Sequence, residues 1–505
     1  MYDPLLYGKA GLDRLVGMEV VNDTIELFRL KDDYSIETIV RPFKYWILSA
    51  KQEGKGWARL EGDLHYKWGK QFSDAQEFYN VARYLYRSEI FVTWDAKESA
   101  MLKDGYSHYL GLKPSDIPIL SFDLETTSLD PQHPDAKILL ISNTFRKNGN
   151  IIRKLFAYDE YKSQAEFIQD WAKWVVEMDP SIICGHNIFS FDFNYLLGIA
   201  EREGIEINIG RDGSPLKQKS KPSDFRVDGS RDLHYKKIRC FGRELIDTMF
   251  LAYRYDIATK KYDSYGLKSI IKTEGLEKKD RAFYDAAQIR FKYQDPVEWK
   301  KIKEYCKDDA DDSLALFDLM APAQFYWTQS IPRSFQQVHE SATGAHMNGM
   351  LVRSYLQEKH SIPKADFHEG QFEGAISIGI PGTYKNCIRW DVASLYPSII
   401  LTYKIYDKEK DPRGNFLKIM EFFTKERLKN KKLAQETKNK YYDDLQASQK
   451  IGINSGYGFL GTQGLNFNSL ENAKLVTKYG REILIKALKW ATGITDEEIR
   501  DLLNN

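Results

Sequence analysis

Residues 117–127 read IPILSFDLETT, a short apolar run that ends in two closely spaced carboxylates. The segments KILLISNTF (137–145), NIIRKLFAY (150–158) and SIICGHN (181–187) also have the composition of strands. Between the last two, apolar residues recur at helical spacing and predict a helix over residues 163–179. Strands interleaved with a helix indicate an α/β domain with a mixed sheet.

The chain on either side of this region predicts further elements. Residues 1 to about 117 predict a small α+β domain in which we identify no chemistry. The polar stretch 211–232 predicts a loop or a protruding hairpin, and residues 296–321 predict a helix that ends before Pro322. Beyond about residue 370 the sequence is rich in strand-forming residues. Helices are then predicted over residues 416–435, 441–459 and 469–492.

The composition is that of a large protein with several cores. The chain has 505 residues, of which 42% are hydrophobic and 29% charged. Lys and Arg number 73 and Asp and Glu 72, so the net charge of +1 gives no global basic field that would indicate nucleic acid. The charges are nevertheless segregated, with seven basic residues in 425–440 and four aspartates in 308–312. A charge run is most often a solvated face, so neither identifies a site alone.

The cysteines and the apolar runs bear on location. The four cysteines are far apart and form no CxxC pair, which argues against a disulfide framework or zinc ribbon and for a reducing compartment. Apolar runs are far shorter than the roughly 20 residues that span a bilayer. The first residues lack the pattern of a secretion signal. We therefore expect a soluble cytoplasmic protein, in the host cytoplasm if the source is viral, without a membrane partner.

Two groups of carboxylates could hold metal. Asp123 and Glu125 are two apart on a predicted strand, so both side chains leave one face and could bind Mg²⁺ together, although such a pair is common by chance. In NIFSFD (187–192), Ser190 could cap the next helix, and Asp192 would lie in its first turn. Asp192 could equally do no more than complement the positive end of that helix.

The third group is YCKDD (305–309), on the predicted helix 296–321. Tyr305 and Asp309 are four apart and project from one helix face. A tyrosine hydroxyl beside a carboxylate can orient a water for attack on a metal-bound phosphate. The other aspartates of this run fall on other faces, where we expect them to meet solvent: Asp308, Asp311 and Asp312.

Together the three groups resemble the DnaQ-like 3′–5′ exonuclease domain of family B DNA polymerases in residue type, order and approximate spacing. GRELIDT (242–248) and YGLKSI (265–270) look like the segments that follow the second motif. The resemblance implies an active exonuclease in which Tyr305 assists the attacking water. It implies two Mg²⁺ or Mn²⁺ ions held by four carboxylates: Asp123, Glu125, Asp192 and Asp309.

IRWDVASLYPS (388–398) closely resembles the first palm motif of the same family. An aspartate at a strand end, followed by a turn with free N–H groups, can hold a metal and cradle a triphosphate. The resemblance implies that Asp391 and the Val392 carbonyl bind metal and that the Ser394 and Leu395 amides meet phosphates. It also implies that Tyr396 blocks a ribose 2′-hydroxyl, although a plain buried tyrosine is the alternative.

KIGINSGYG (450–458) is similar to the family's KxxxNSxYG motif. The resemblance implies that Lys450 reaches a phosphate and that Asn454 approaches the nascent base pair. Arg427 and Lys431 match an arginine and a lysine that the family directs at the triphosphate, although neighbouring lysines compete and a solvated basic face is the alternative. FEGA (372–375) partly matches an element that touches template. Four DNA contacts are implied: Asn187, Gly374, Tyr457 and Gly458.

The family carries a second palm carboxylate in a YxDTDS hairpin, which this sequence lacks. None of the acids after Gly458 lies in an apolar strand, and TDEE (495–498) is better explained as a capping box. Because one carboxylate cannot readily hold two divalent ions, we expect the N-terminal subunit of a split polymerase, with the DTD motif and thumb on a second subunit. A stand-alone exonuclease with a relic palm and a non-catalytic replisome scaffold are the alternatives.

The resemblance implies a multidomain α/β and α+β fold: an N-terminal domain, an RNase H-like exonuclease domain, and an incomplete palm with short two-helix fingers. The expected boundaries are 1–117 for the N-terminal domain (with 331–370 returning to it), 118–330 for the exonuclease, 371–415 with 462–505 for the palm, and 416–461 for the fingers. The expected partners are primer-template DNA, deoxynucleoside triphosphates and the second subunit, with a sliding clamp as a further candidate.

Overall fold

The protein is described here from a computed structural model. It describes residues 2–85, 89–227, 232–279, 284–367, 374–377, 379, 382–388, 391–392 and 394–504. Helices and several separate sheets alternate along the chain in a mixed α/β multidomain architecture, so the expected fold class is confirmed. None of the described helices is both long and apolar enough to cross a membrane.

Two small sheets form the first part of the chain. An antiparallel sheet has the order β1-β2-β3, and a second sheet has the order β5-β6-β4-β7. Their apolar sides pack together with two helices around Phe43 and Phe78. The strands are β1 (Leu15–Val21), β2 (Thr24–Leu30), β3 (Ile36–Pro42), β4 (Tyr45–Ser49), β5 (Ala58–Arg59), β6 (Trp68–Phe72) and β7 (Ile90–Phe91). The helices are α1 (Pro4–Tyr7), α2 (Ala75–Leu85) and α3 (Ala96–Asp104).

A five-stranded mixed sheet follows, with the order β10-β9-β8-β11-β16. Its strands are β8 (Ile119–Thr126), β9 (Ile138–Lys147), β10 (Asn150–Ala157), β11 (Ile182–Gly185) and β16 (Glu244–Asp247). The β8-β9-β10 pairs are antiparallel, whereas β11 runs parallel to β8 and β16. The predicted strands and the helix over 163–179 are thus confirmed, the latter as α4 (Gln164–Met178).

The two faces of this sheet carry different helices. Leu120, Phe122 and Leu124 of β8 pack with α4 and α5 (Asp192–Glu203). Because strand side chains alternate, Asp123 and Glu125 project from the opposite face. That face is covered by α9 (Pro296–Thr328). The other helices of this part are α6 (Thr248–Thr259), α7 (Leu267–Thr273), α8 (Ala286–Lys292), α10 (Phe335–Glu340) and α11 (Thr343–Leu356).

The polar stretch before β16 forms short ribbons, as predicted. β13 (Ser223–Arg226) and β14 (Asp232–Tyr235) pair as an antiparallel hairpin. β12 (Lys217–Gln218) pairs with β15 (Ile238–Arg239).

The predicted end of α9 before Pro322 is wrong, because the helix continues to Thr328. A proline inside a helix removes one backbone hydrogen bond and usually ends or kinks it. Here the following turns are held by packing, since Phe325 and Trp327 are buried. Tertiary burial therefore outweighs the local preference of the sequence.

The last part of the described chain is helical: α12 (Leu395–Tyr403), α13 (Asn415–Thr437), α14 (Lys440–Gly461), α15 (Leu470–Thr492) and α16 (Asp496–Asn504). The turn between α13 and α14 spans two residues, so they form a compact pair, as predicted. α14 also packs closely on α9, because a Cβ on Gly452 would lie 2.7 Å from Cζ3 of Trp327. The predicted strand-rich stretch is wrong where it is described, because residues 374–377, 379, 382–388 and 391–392 form no strand, whereas Phe372 of the FEGA element lies outside the described residues.

Candidate active sites

The end of β8 and the middle of α9 bring three carboxylates together. Asp123, Glu125 and Asp309 each offer a ligand atom, and these atoms lie within 4.8 Å of one another. β8 presents the first two from one face, and α9 crosses that face and presents the third. Residues 186 positions apart in the sequence thus form one cluster that could hold a divalent cation.

Asp192 lies at the first residue of α5, as predicted, and is buried. Its Oδ1 accepts a hydrogen bond from the Leu124 N–H at 3.1 Å, which ties it to β8 between the other two carboxylates. Asp192 is not part of the three-residue cluster. The predicted cap is wrong, because Phe191 occupies the N-cap position and makes no side-chain capping bond, while Ser190 precedes it.

A second buried aspartate shapes the turn before α5. Asp247 accepts hydrogen bonds from the backbone N–H groups of Asn187 (2.8 Å) and Phe189 (3.2 Å). Asn187 itself has a left-handed backbone with φ 68°. Asp247 therefore fixes the path that leads into Asp192. The sequence indicates the segment GRELIDT that contains it, but not this role.

Tyr305 lies one helical turn before Asp309 on α9, with only 1% of its surface exposed. Its hydroxyl is buried and has no hydrogen-bond partner among the described residues. The Lys268 ammonium lies 4.0 Å from the Tyr305 ring centroid and 3.9 Å from Oδ2 of Asp309. Sequence reasoning missed Lys268, although it lies in the quoted segment YGLKSI. Lys268 thus places a positive charge beside this acidic cluster.

The carboxylates raise one another's pKa. Burial and the charges of Asp192, Asp309 and Glu125 raise the pKa of Asp123 well above its ordinary value. Burial and the charge of Asp309 raise the pKa of Glu125 to about 7, and burial raises that of Asp192 to about 8. A cluster of buried carboxylates is unfavourable when all of its members are ionised and no cation balances their charge. Together with the unpartnered Tyr305 hydroxyl, it fits the divalent cations that oxygen ligands select.

The remaining aspartates of the run on α9 do not meet solvent as predicted. Asp311 and Asp312 are buried, and Asp308 is partly buried. Asp311 accepts hydrogen bonds from Thr144 and Arg153 of the sheet. The prediction failed because α9 is packed on several sides, so its second face binds β9 and β10 instead of water.

The residues of the palm motif lie around the start of α12. Asp391 and Val392 are exposed. Ser394 has a left-handed backbone (φ 55°), and its hydroxyl accepts a hydrogen bond from Arg427 Nη1 of α13 at 2.6 Å. The next residue, Leu395, begins α12, where backbone N–H groups have no partner inside the helix. The structure thus brings the predicted Arg427 to the predicted phosphate-binding turn.

The KxxxNSxYG residues lie on α14, which meets α12 through Tyr457. Lys450, Asn454 and Gly458 share one exposed helix face, and Lys431 of α13 is exposed as well. The Tyr457 ring lies 4.5 Å from that of Tyr396, centroid to centroid. Gly374, another predicted DNA contact, is held by α15 instead. Gly374 contributes its carbonyl to a hydrogen bond from Arg481 of α15 at 2.7 Å.

Known family models match two parts of the chain. Residues 74–270 match the model for the family B DNA polymerase exonuclease domain, and residues 406–501 match the model for DNA polymerase family B. The chain belongs to the family B DNA polymerases.

Curated relatives and a solved structure agree. The family B chain is 26% identical to the DNA polymerase delta catalytic subunit of Dictyostelium discoideum, over 74% of this chain and 39% of that protein. It is 24% identical to the DNA polymerase of Thermococcus gorgonarius, over 73% of this chain and 50% of that one. It thus spans about half the length, or less, of these curated relatives.

The fold matches the family B DNA polymerase from the archaeon Pyrobaculum calidifontis with a TM-score of 0.72. The match covers 94% of this chain and 71% of that one at 18% sequence identity, so it supports the fold alone.

The raised carboxylate pKa values predict how the stability of the family B chain changes with pH when divalent ions are removed. In the unfolded chain a glutamate carboxyl has its ordinary pKa of 4.5 and an aspartate carboxyl its ordinary pKa of 3.8. In the folded chain the pKa of Glu125 is about 7 and that of Asp192 is about 8. Between these values the folded state binds more protons, so the free energy of unfolding falls as pH rises. In EDTA we expect the melting temperature to fall from pH 5 to pH 8.

The matched control is the double variant Asp123→Asn with Glu125→Gln, whose melting temperature should depend less on pH over this range. Excess Mg²⁺ should stabilise the unmodified chain more at pH 8 than at pH 5. An equal pH slope in the chain and the variant would contradict the assigned cause.

Loss of the ammonium group beside the cluster should weaken the excision that the match to the exonuclease domain model predicts for this chain. Removing a group that orients metal ligands typically costs about 10- to 100-fold, and we expect Lys268→Ala to slow excision of a single-stranded 3′ end by about that factor. Lys272→Ala removes an exposed lysine one turn further along the same helix α7 and should leave the rate unchanged. Equal rates for both variants would show that Lys268 has no special role.

Proposed function

We propose that this chain supplies the 3′–5′ exonuclease, the first palm motif and the fingers of a proofreading family B DNA polymerase. Its substrates are primer-template DNA and deoxynucleoside triphosphates. The observation that carries the proposal is the cluster of Asp123, Glu125 and Asp309. Tyr305 lies one helical turn from Asp309 on α9, and Asp192 is tied to β8 by its hydrogen bond with Leu124. We propose the boundaries stated above for the four domains.

In the proposed exonuclease, Asp123, Glu125, Asp192 and Asp309 hold two Mg²⁺ or Mn²⁺ ions. Bound ions would polarise the scissile phosphate and lower the pKa of an attacking water. The buried Tyr305 hydroxyl orients that water, since it has no protein partner among the described residues. Lys268 limits the repulsion among the acids through its position near Asp309. Asn187, at the turn before α5, contacts the DNA strand.

In the proposed polymerase site, Asp391 and the Val392 carbonyl bind metal, and the Ser394 and Leu395 amides meet the triphosphate. Arg427, Lys431 and Lys450 neutralise its charge: Arg427 is held at the start of α12 by its hydrogen bond to Ser394, and the two lysines are exposed. Asn454 approaches the incoming nucleotide, and Tyr396 excludes a 2′-hydroxyl. Three positions contact the template and primer: Gly374, Tyr457 and Gly458.

We further propose that a second polypeptide completes this site with the DTD carboxylate and the thumb. In the described part of the chain, Asp391 joins no cluster of three potential metal ligands. Beside it, Ile388 and Val392 are 82% and 52% exposed, which is a large exposure for apolar side chains. A continuation of the same polypeptide would cover this surface equally well, so the experiment must separate the two arrangements.

The test compares excision and primer extension by these 505 residues, alone and with a polypeptide that carries the YxDTDS hairpin and a thumb. We expect Mg²⁺-dependent excision by the chain alone, and extension only after the addition. Extension by the chain alone would refute the incomplete palm. A single natural polypeptide that contains both parts would refute the separate subunit and leave the two activities in place.

A stand-alone exonuclease is the second candidate, because only the exonuclease carboxylates form a cluster in the described residues. The hydrogen bond from Arg427 to Ser394 favours the polymerase, since it aligns two helices around a turn that excision does not need. We propose cytoplasmic action, in keeping with four free thiols. A sliding clamp stays a candidate partner.

A further inference from the structure

One edge of the Tyr396 ring faces a position without a side chain. A Cβ built on Gly480 of α15 would lie 3.0 Å from Cε1 and 3.7 Å from Cδ1 of Tyr396. The nearer of these distances is tighter than nine in ten contacts of real Cβ atoms, so the ring or the helix would have to give way. Gly480 is buried, and its conformation is helical, so no special backbone angle requires glycine there. The glycine instead leaves space for the Tyr396 ring.

The ring is also confined by a second neighbour. Tyr457 of α14 lies against it at 4.5 Å, with the two ring planes tilted by 45°. Tyr396 is therefore held between α14 and α15, next to the turn at Ser394. A change at Gly480 has to be accommodated by the ring or by the separation of the helices.

The separation of α12 and α15 is fixed elsewhere along the pair. Tyr403 of α12 stacks on Tyr479 of α15 at 4.2 Å with an angle of 14° between the rings. Ile399 and Ile400, between Tyr396 and Tyr403, are buried in the same apolar cluster as Val476 of α15. Because close-packed helices resist separation, the side chain at 396 has less resistance to moving than the helices.

We propose that Gly480 is a positioning residue for sugar selection: it admits the Tyr396 ring to the depth at which the ring excludes a ribose 2′-hydroxyl. This inference rests on the proposed polymerase function and extends it to a residue that makes no contact with the nucleotide. Because Tyr457 closes the α14 side, an added methyl group pushes the ring out from between the two helices, towards the turn at Ser394 where the proposed function places the nucleotide. The kcat/KM for a ribonucleotide, which carries the additional 2′-hydroxyl, then falls more than the kcat/KM for a deoxynucleotide.

The first measurement uses the chain alone. A 3-fluorotyrosine placed at position 396 gives one ¹⁹F resonance that reports the ring's surroundings. We expect Gly480→Ala to shift this resonance and Glu482→Ala, an exposed change on the same helix, to leave it in place. An unshifted resonance in Gly480→Ala would overturn the positioning role whether or not the chain polymerises DNA.

The second measurement uses the chain with the polypeptide that completes its palm. The ratio of kcat/KM for a deoxynucleotide to that for the matching ribonucleotide should rise about fivefold or more in Gly480→Ala, because overpacking of a fitted contact is costly. Tyr396→Ala should lower the ratio, and adding Gly480→Ala to it should cause no further change. Gly480→Ser is a second variant with the same expected direction. Excision by each variant verifies folding.

The two possible failures are distinct. If the unmodified complex does not extend primers, the proposed polymerase function fails, and the ¹⁹F resonance still decides whether Gly480 sets the ring's position. If the complex extends primers and the ratio in Gly480→Ala stays within twofold of the unmodified value, the inference about Gly480 fails and the polymerase function stands.

Discussion

Replacing Asp123 and Glu125 together by alanine is expected to lower Mg²⁺-dependent excision by about a thousandfold or more. The two carboxylates form one side of the cluster with Asp309, and no other carboxylate of the described chain belongs to that cluster. Metal ions in phosphoryl transfer contribute several kcal/mol to the transition state, which corresponds to a factor of this size. The measurement is release of the terminal nucleotide from a labelled single strand.

The same variant should extend primers as well as the unmodified chain when the palm is complete. Glu304→Ala is a suitable control, because it removes an exposed carboxylate on α9 next to Tyr305 and should leave excision intact. Excision that survives the double replacement would mean that the metal assignment is wrong. Lost excision accompanied by a large drop in melting temperature would instead indicate misfolding.

Asp391→Asn is expected to lower primer extension by the completed polymerase by a similar factor, about a thousandfold, and to leave excision unchanged. The substitution keeps the size of an exposed side chain, so the fold should tolerate it. The experiment follows incorporation of a single deoxynucleotide with Mg²⁺ present. It separates the two proposed centres, because their assigned residues lie on different elements.

Asp407→Asn offers a matched comparison in the turn after α12, where the side chain accepts hydrogen bonds from backbone N–H groups of the turn. Extension should survive this change. If Asp391→Asn extended primers at the unmodified rate, the metal assigned to this position would have to be held by other groups.

Much of the fold is readable from the sequence where one element decides its own structure. The apolar runs around Phe122, Ile141 and Ile183 predict strands because each is buried on both sides of the sheet. The end of α9 could not be predicted, because Pro322 is locally unfavourable and only the packing of later residues keeps the helix intact. The burial of Asp311 was missed for the same kind of reason, since its partners Thr144 and Arg153 lie on two strands that are distant in the sequence.

The candidate exonuclease site follows the same division. Asp123, Glu125, Tyr305 and Asp309 carry their chemistry in short local patterns, so strand and helix periodicity place them. Lys268 and Asp247 act through contacts with residues 41 and 60 positions away, respectively. No local pattern distinguishes Lys268 from Lys272, the other lysine of α7. The Ser190 cap failed because Phe191, between it and Asp192, takes the N-cap position.

The close approach of Gly452 to Trp327 means that the proposed fingers rest on the far end of the helix that carries Tyr305 and Asp309. Any rotation of α13 and α14 during nucleotide insertion would therefore pivot on a helix of the proposed exonuclease. Transfer of either part into another enzyme would therefore have to include α9, because both parts pack on this helix.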